Sequence, residues 1–229
     1  MGAFLSSFQL GRSLYNPLIG AYTKGLYKDF FESVPQDATV LDIGIGNGYA
    51  ICHNADLVKQ KQLKITGVDI CEKSLRDCAE NLKKDGLEDH ISLTSESLAK
   101  LAKDGKKWKY IYLSNSYSVI ENVCDLLEEA FGLLEEDGEL VISLTLFDNY
   151  NPIISYFKPR LKHVLGFDCG RYITHSQLDK ELNTHKIVCK DKKLMKDLPG
   201  TTICGYTYAN LYSIRLSAAP IFPKDCQVH

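Results

Sequence analysis

An apolar run that ends in an acid and three alternating glycines constrains this chain more than any other feature. Residues 40–48 read Val-Leu-Asp-Ile-Gly-Ile-Gly-Asn-Gly. The run predicts a buried strand followed by a sharp turn, because glycine tolerates backbone conformations that other residues avoid and lets a ligand approach the main chain. A helix beginning near Tyr49 would offer free amide groups to an anionic group. The sequence therefore predicts an α/β unit with a nucleotide-like pocket at this turn.

Two acids indicate the kind of ligand. Asp42 precedes the glycines, whose spacing differs from the G-x-G-x-x-G of dinucleotide-binding turns. A carboxylate here would repel a pyrophosphate and attract a ligand with an ammonium or sulfonium group. Asp69 ends the next β-rich run, where a carboxylate can accept hydrogen bonds from both hydroxyl groups of a ribose. The pair favours a positively charged nucleoside.

In this order the two motifs resemble motif I and the next acidic strand end of the class I S-adenosylmethionine-dependent methyltransferases, and the resemblance extends from about Val40 to Leu144. It implies an enzyme with S-adenosyl-L-methionine as its cofactor. The cofactor-binding residues that it implies are Asp42, Gly44, Gly46, Asn47, Gly48, Asp69, Ile70, Glu96, Ser97, Ser114 and Asn115. After the third strand the family usually has an acid that accepts a hydrogen bond from the adenine amino group, and either Glu96 or, in another register, Ser97 takes that place. Ser114 and Asn115 lie beside the methionine part or form an ordinary strand-to-loop turn.

Helical and strand patterns alternate along the rest of the chain. Apolar residues at helical spacing predict helices over 75–82, ending at Gly86, and over 123–134. Short β-rich runs predict strands over 91–94, 110–113, 140–144, 186–189 and 211–216, with a turn at 136–138. This alternation predicts a doubly wound, mainly parallel sheet, and the resemblance implies seven strands with an antiparallel last strand, the Rossmann-like methyltransferase fold.

Composition excludes several other classes of protein. A net charge of −2 with 24% charged residues gives no general basic field, so we expect no nucleic-acid partner. The eight cysteines form no C-x-x-C pair, and no secretory signal is evident. These observations favour reduced thiols, no metal site and a cytoplasmic location.

The N-terminal part differs from the rest of the chain. Residues 1–36 are predicted to form a helical lid or extension, and residues 37–229 the cofactor-binding domain with an insert at about 147–183. Asn16-Pro17 would begin a helix that places Tyr15, Tyr22 or Tyr27 over the site, and Tyr22 is a candidate catalytic residue. The first six residues fit the N-myristoylation pattern, which would give weak peripheral membrane association through the N-terminus.

The insert contains His175 and Arg171, two of the candidates for chemistry and for binding the acceptor. His175 is a candidate general base, although Thr174-His175-Ser176-Gln177 also fits a capping box that begins a helix. Arg171 and Tyr117 are candidate substrate-binding residues, and Arg171 could instead pair with Asp168. Basic and aromatic residues mixed in this segment suit an anionic substrate with an apolar portion, or a solvated helix with an aromatic inner face.

The segment after the fourth strand narrows the choice of acceptor. It lacks the Asp/Asn-Pro-Pro-aromatic sequence that relatives use to orient the amine of adenine or a glutamine amide. The sequence therefore favours methyl transfer to a small molecule or lipid headgroup, at nitrogen or oxygen. The alternatives are a protein methyltransferase and a catalytically silent binding protein with the same fold.

Overall fold

The computed structural model describes residues 20–161, 170–195, 201–203 and 206–218. Its strands are β1 (Thr39–Ile43), β2 (Lys64–Val68), β3 (Ile91–Thr94), β4 (Trp108–Ser114), β5 (Leu134–Phe147), β6 (Ile187–Leu194), β7 (Thr201–Ile203) and β8 (Tyr206–Ala218). Its α-helices are α1 (Gly20–Ser33), α2 (Tyr49–Cys52), α3 (Ala55–Gln60), α4 (Glu72–Asp85), α5 (Leu98–Lys103), α6 (Val123–Gly132), α7 (Pro152–Phe157) and α8 (His175–Thr184). Short 3-10 helices follow β4 (Ser116–Ser118) and α7 (Lys158–Leu161).

The strands form one sheet in the order β3-β2-β1-β4-β5-β8-β6, with β7 paired to β8. Strands β1 to β5 pair in parallel, whereas β8 runs antiparallel to both β5 and β6. The predicted seven-stranded, mainly parallel sheet with an antiparallel last strand is therefore confirmed, and β7 is a short addition to it. The chain order reverses between β1 and β4, which opens a crevice at their carboxyl ends.

Each face of the sheet has its own hydrophobic core. Side chains of α1 to α4 pack with Val40 and Tyr112 on one face, and those of α5, α6 and α8 pack with Leu41 and Ile111 on the other. Successive side chains of a strand alternate between faces, so Asp42 points to the same side as Val40. That side is the one covered by α1.

The second half of α1 belongs to this core. Phe30 is buried and stacks on Tyr112, with ring centroids 4.0 Å apart and planes 2° from parallel. Phe31 and Val34 are equally buried. This half of α1 therefore shares a hydrophobic core with the sheet, and the division at residue 36 stays a prediction. The proposed start of the helix at Asn16-Pro17 and the myristoylation pattern lie outside the described residues.

Two local predictions needed correction, and one helix was missed. The helix near Tyr49 is a single turn, after which the chain bends and α3 begins. Helix α5 was not predicted, because its apolar face is only two residues long, Leu98 and Leu101. The turn predicted at 136–138 lies inside β5, where a register shift against β4 accommodates the extra residues. In the part of the chain that is described, no helix is long and apolar enough to cross a membrane.

Candidate functional site

The glycine loop after β1 has the geometry that its sequence predicts. Gly44, Gly46 and Gly48 have φ values of 85°, 62° and 69°, a region that side chains with a Cβ rarely adopt. A Cβ on Gly44 would lie 2.7 Å from Cβ of Ser116, and one on Gly48 would lie 2.6 Å from Sγ of Cys78. At Gly46 nothing lies within 4 Å of the corresponding position. The middle of the loop is therefore open to a ligand, while its two ends pack against the protein.

Asp69 follows β2 and fixes the loop. Its Oδ2 accepts a hydrogen bond from the Gly46 amide at 2.9 Å, and its Oδ1 accepts one from the Cys71 amide at 2.8 Å. A carboxylate has about four lone-pair sites, so both oxygens can still accept from a diol such as that of ribose. The neighbouring Ile70 side chain is 98% exposed, although it is large and apolar. The end of β2 thus combines an oriented carboxylate with an uncovered apolar surface.

Asp42 lies beneath the same loop and is 1% exposed. Its Oδ2 accepts a hydrogen bond from the Tyr27 hydroxyl at 2.7 Å, whereas its Oδ1 is buried without a hydrogen-bond partner. Burial raises the pKa of the Asp42 carboxyl from 3.8 to about 7; the Tyr27 hydrogen bond opposes that rise and the charge of Asp69 adds to it. A buried carboxylate oxygen without a partner is expensive unless a ligand supplies the missing interaction.

The end of β4 lies against the loop. The Ser116 hydroxyl donates to the Ile43 carbonyl at 2.7 Å, which ties the carboxyl ends of β1 and β4 together. Asn115 has a φ of 58°, and its amide donates to the Ser143 carbonyl at 2.7 Å. Its side-chain Nδ2 is buried and has no hydrogen-bond partner. Ser114, the last residue of β4, pairs with Ser143 in the sheet. The end of β4 thus carries an unused donor on Asn115, as β1 carries an unused acceptor on Asp42.

Two other predicted cofactor contacts are already engaged within the protein. The Ser97 hydroxyl accepts from the Lys100 amide at 3.3 Å and caps α5, while Glu96 remains exposed. Of the two alternatives for the adenine contact, Glu96 is the one with an accessible carboxylate. Asn47 Oδ1 accepts from the Tyr49 amide at 3.1 Å, so one of the amides expected to be free at this helix start is already satisfied.

His175 lies at the beginning of α8, beside the carboxyl end of β5. Its Nε2 is 3.8 Å from Oδ1 of Asp148, and its ring meets that of Tyr212 edge-on at 4.8 Å. The predicted capping box is confirmed, because Thr174 and Gln177 exchange both of its hydrogen bonds. The cap therefore fixes the backbone at His175 and leaves the imidazole partly exposed. The other catalytic candidate, Tyr22, belongs to α1, but its side chain lies outside the described part.

Arg171 and Tyr117 meet at a common acid. The Arg171 guanidinium donates to Glu181 at 2.8 Å and 3.5 Å, and the Tyr117 hydroxyl donates to the same carboxylate at 2.8 Å. Tyr117 is completely buried, so in this conformation it has no surface for a substrate. The alternative partner, Asp168, lies outside the described residues. Neither Glu181 nor Asp148 was predicted, because each is separated in sequence from its partner and follows no motif.

Among the described residues, no three His, Cys, Asp or Glu side chains are grouped closely enough to hold a metal ion. The cysteines whose side chains are described, Cys52, Cys71, Cys78 and Cys189, are all free thiols.

Known proteins with similar sequences are methyltransferases. Residues 40–138 match the family model described as "Methyltransferase domain". A ribosomal protein L11 methyltransferase from Staphylococcus carnosus (strain TM300) is 29% identical over 127 residues, which are 54% of this chain and 37% of that protein. The chain thus matches well under half of that relative's length.

Solved structures share the fold. One is a SAM-dependent methyltransferase from Geobacter sulfurreducens in complex with S-adenosyl-L-homocysteine, with a TM-score of 0.63, 13% identity, and coverage of 93% of this chain and 98% of that one. Another, from Thiobacillus denitrificans and with the same ligand, has a TM-score of 0.59, 11% identity, and coverage of 86% and 91%.

Residues 40–138 therefore resemble a methyltransferase domain, and the chain shares its fold with solved methyltransferases that use S-adenosylmethionine. The described residues fit that cofactor on their own chemistry. Asp42 presents a buried oxygen that lacks a partner, Asn115 presents a buried amide that lacks one, and Gly46 leaves room for a ligand against the main chain.

Proposed function

We propose that this protein transfers the methyl group of S-adenosylmethionine to a small-molecule or lipid-headgroup acceptor, at a nitrogen or oxygen atom. The observation that carries the proposal is the pair of acids at the ends of β1 and β2, with the glycine loop between them. Asp69 is oriented by two backbone amides, and Asp42 keeps one buried oxygen unused. The chemistry that the cofactor supplies is a methyl group activated by a positively charged sulfur.

The protein's main task in such a transfer is alignment. The acceptor atom, the methyl carbon and the sulfur must lie in line, which is a matter of proximity and orientation. Asp69 would accept hydrogen bonds from the ribose hydroxyls, and Asp42 and Asn115 would address the charged methionine part. All three are held by the backbone at the carboxyl ends of adjacent strands, so their geometry depends little on flexible loops.

An exposed aromatic segment supports an acceptor with an apolar portion. Tyr150, Ile153, Tyr156 and Phe157 are each more than half exposed on and beside α7, which follows β5. The guanidinium of Arg160 lies over the Tyr156 ring, 3.7 Å from its centroid. An uncovered apolar surface next to a pocket is a common feature of binding sites. An anionic group on the acceptor finds less support, because the Arg171 guanidinium already faces Glu181.

His175 is the group that we propose as general base for an acceptor that is protonated at working pH. It lies beyond the end of β5, with Asp148 3.8 Å away to stabilise the imidazolium form. His175→Gln should lower kcat if the acceptor is an alcohol, which must lose a proton during the transfer, and should have little effect if the acceptor is an amine that is already deprotonated.

A protein acceptor is the second candidate function. The relative from Staphylococcus carnosus is named a ribosomal protein L11 methyltransferase, and its similarity covers 54% of this chain. Because the match is 29% identical and spans 37% of the relative, the similarity bears on the acceptor only weakly.

Turnover with methyl-labelled S-adenosylmethionine distinguishes a small-molecule or lipid acceptor from a protein acceptor. The protein is incubated with a metabolite extract, a lipid extract and a protein lysate in parallel, and Asp69→Ala, in which we expect weaker cofactor binding, serves as the control. We expect label in the metabolite or lipid fraction. Label only in protein would establish the second candidate, and cofactor binding without label in any fraction would leave a silent binding protein.

A further inference from the structure

A tyrosine from the N-terminal helix reaches the acid of the glycine loop. The Tyr27 hydroxyl donates to Asp42 Oδ2 at 2.7 Å, and the two side chains are 4% and 1% exposed. The Tyr27 ring is fixed by aromatic neighbours, since it meets Tyr112 edge-on at 5.2 Å and Phe31 at 5.6 Å. A hydroxyl held this firmly restricts the rotation of the carboxylate to which it donates.

The two oxygens of Asp42 consequently differ. Oδ2 is occupied by a neutral donor, and Oδ1 is buried without a partner. In the described part of the chain, no cationic side chain lies within ion-pair distance of this carboxylate. A neutral donor leaves the negative charge intact, whereas a lysine or arginine at the same place would cancel it. The arrangement thus conserves the charge for a ligand.

We propose that Tyr27 is a positioning residue for the cofactor: its hydroxyl holds one oxygen of Asp42 so that the other is presented to the positively charged methionine portion of S-adenosylmethionine. This inference rests on the proposed function. It also gives α1 a role in cofactor binding without requiring α1 to move as a lid.

The titratable groups around Asp42 should make cofactor binding depend on pH. Tyr27 faces it from α1, Asp69 from the end of β2, Tyr112 from β4 and Cys78 from α4. Burial raises the pKa of Asp42 to about 7, and the Tyr27 hydrogen bond works against that rise. Near neutral pH part of the carboxyl population is therefore protonated, and a cationic ligand should expel that proton on binding. Removing the Tyr27 hydroxyl should raise the pKa further and enlarge the proton release.

Tyr27→Phe tests the proposal by calorimetry with S-adenosylmethionine between pH 6 and pH 9, in two buffers with different ionisation heats. The matched control is Tyr110→Phe, which removes a hydroxyl from the same aromatic cluster. For Tyr27→Phe we expect roughly tenfold weaker binding at pH 7, the effect of losing a hydrogen bond to a charged group. We also expect a smaller deficit at pH 9 and more protons released at pH 7.5 than for the wild type.

The outcomes separate this inference from the proposed function. If the wild type binds the cofactor and Tyr27→Phe has the same affinity and proton release, the positioning role is overturned and the proposed function is untouched. An equal loss for Tyr110→Phe, or a loss that does not vary with pH, would indicate general disruption of the cluster and would also overturn it. If the wild type binds no S-adenosylmethionine, the proposed function fails and this inference fails with it.

Discussion

At the scale of single residues, Asp42 is the group whose surroundings least favour its charge. Its pKa of about 7 in the folded protein lies well above the 3.8 of an ordinary aspartate, with burial as the main cause. The folded state therefore binds more protons than the unfolded state between about pH 4 and pH 7, and stability falls as pH rises through that range. Each pKa unit corresponds to about 1.4 kcal/mol, so the cost above pH 7 is at most about 4 kcal/mol.

Asp42→Asn removes that charge while keeping the shape of the side chain. We expect the variant to melt at a higher temperature than the wild type at pH 8, with the difference shrinking towards pH 5, and to lose most of its affinity for the cofactor. Thermal melts at the two pH values, together with calorimetry, check both parts. A variant that is less stable at pH 8 would show that the carboxylate is better solvated than the structure indicates.

Arg171 is the opposite case, because its positive charge is already paired with Glu181. Because its guanidinium pairs with Glu181 and Tyr117 donates to the same acid, Arg171→Ala should lower the stability by about 1–2 kcal/mol, intermediate between exposed and buried pairs. Glu181→Gln should cause a similar loss, and the double variant should lose less than the sum of the two. Urea unfolding measures all three. If Arg171→Ala instead kept its stability and raised the KM for an anionic acceptor alone, the guanidinium would be a substrate contact.

At the scale of elements, α1 shows how far the sequence could be interpreted. Asn16-Pro17 predicted the start of a helix in this part of the chain, but such a signal does not tell which surface the helix covers. The structure buries Leu26, Phe30 and Phe31 against the sheet, so this half of α1 supports the core as well as the site. The strands with strong β patterns, β1 to β4, were predicted well. The short α5 and the bulge in β5 were not, since each depends on contacts with neighbouring elements more than on local pattern.

Two changes in α1 separate its structural and functional parts. Phe30→Ala should lower the free energy of unfolding by about 3–5 kcal/mol, because it leaves a cavity against Tyr112.

Deletion of residues 1–20 removes none of the buried side chains described in α1, and we expect it to shift the melting temperature little. If this segment closes over the pocket, the deletion should reduce turnover far more than stability. Full activity of the truncated protein would rule out a closing role.

Some of the site residues could be predicted from the sequence and others could not. The sequence predicted the glycines of the loop and the acids at the ends of β1 and β2, because their roles follow from their position at the end of a strand. Tyr27 was only one of three tyrosines considered, and selecting it required the packing of α1. Glu181 and Asp148 act on partners that the chain brings together only after folding, so no local pattern marks them.

At the scale of the whole molecule, the fold brings two acids that are separated in sequence to the carboxyl ends of neighbouring strands. Asp42 and Asp69 end neighbouring parallel strands, and the reversal of strand order beside β1 opens the crevice above them. The whole sequence has a net charge of only −2, so recognition of the cofactor depends on this local pair more than on a general field.

Calorimetric titration of S-adenosylmethionine into the wild type and into Asp69→Ala tests this account most directly, with NAD as the competing ligand. We expect the wild type to bind S-adenosylmethionine and not NAD, and Asp69→Ala to bind it about 1.5–3 kcal/mol more weakly, the range for hydrogen bonds to a charged group. A preference for NAD, or an unchanged affinity in Asp69→Ala, would contradict the assignment of this crevice as a methyltransferase cofactor site.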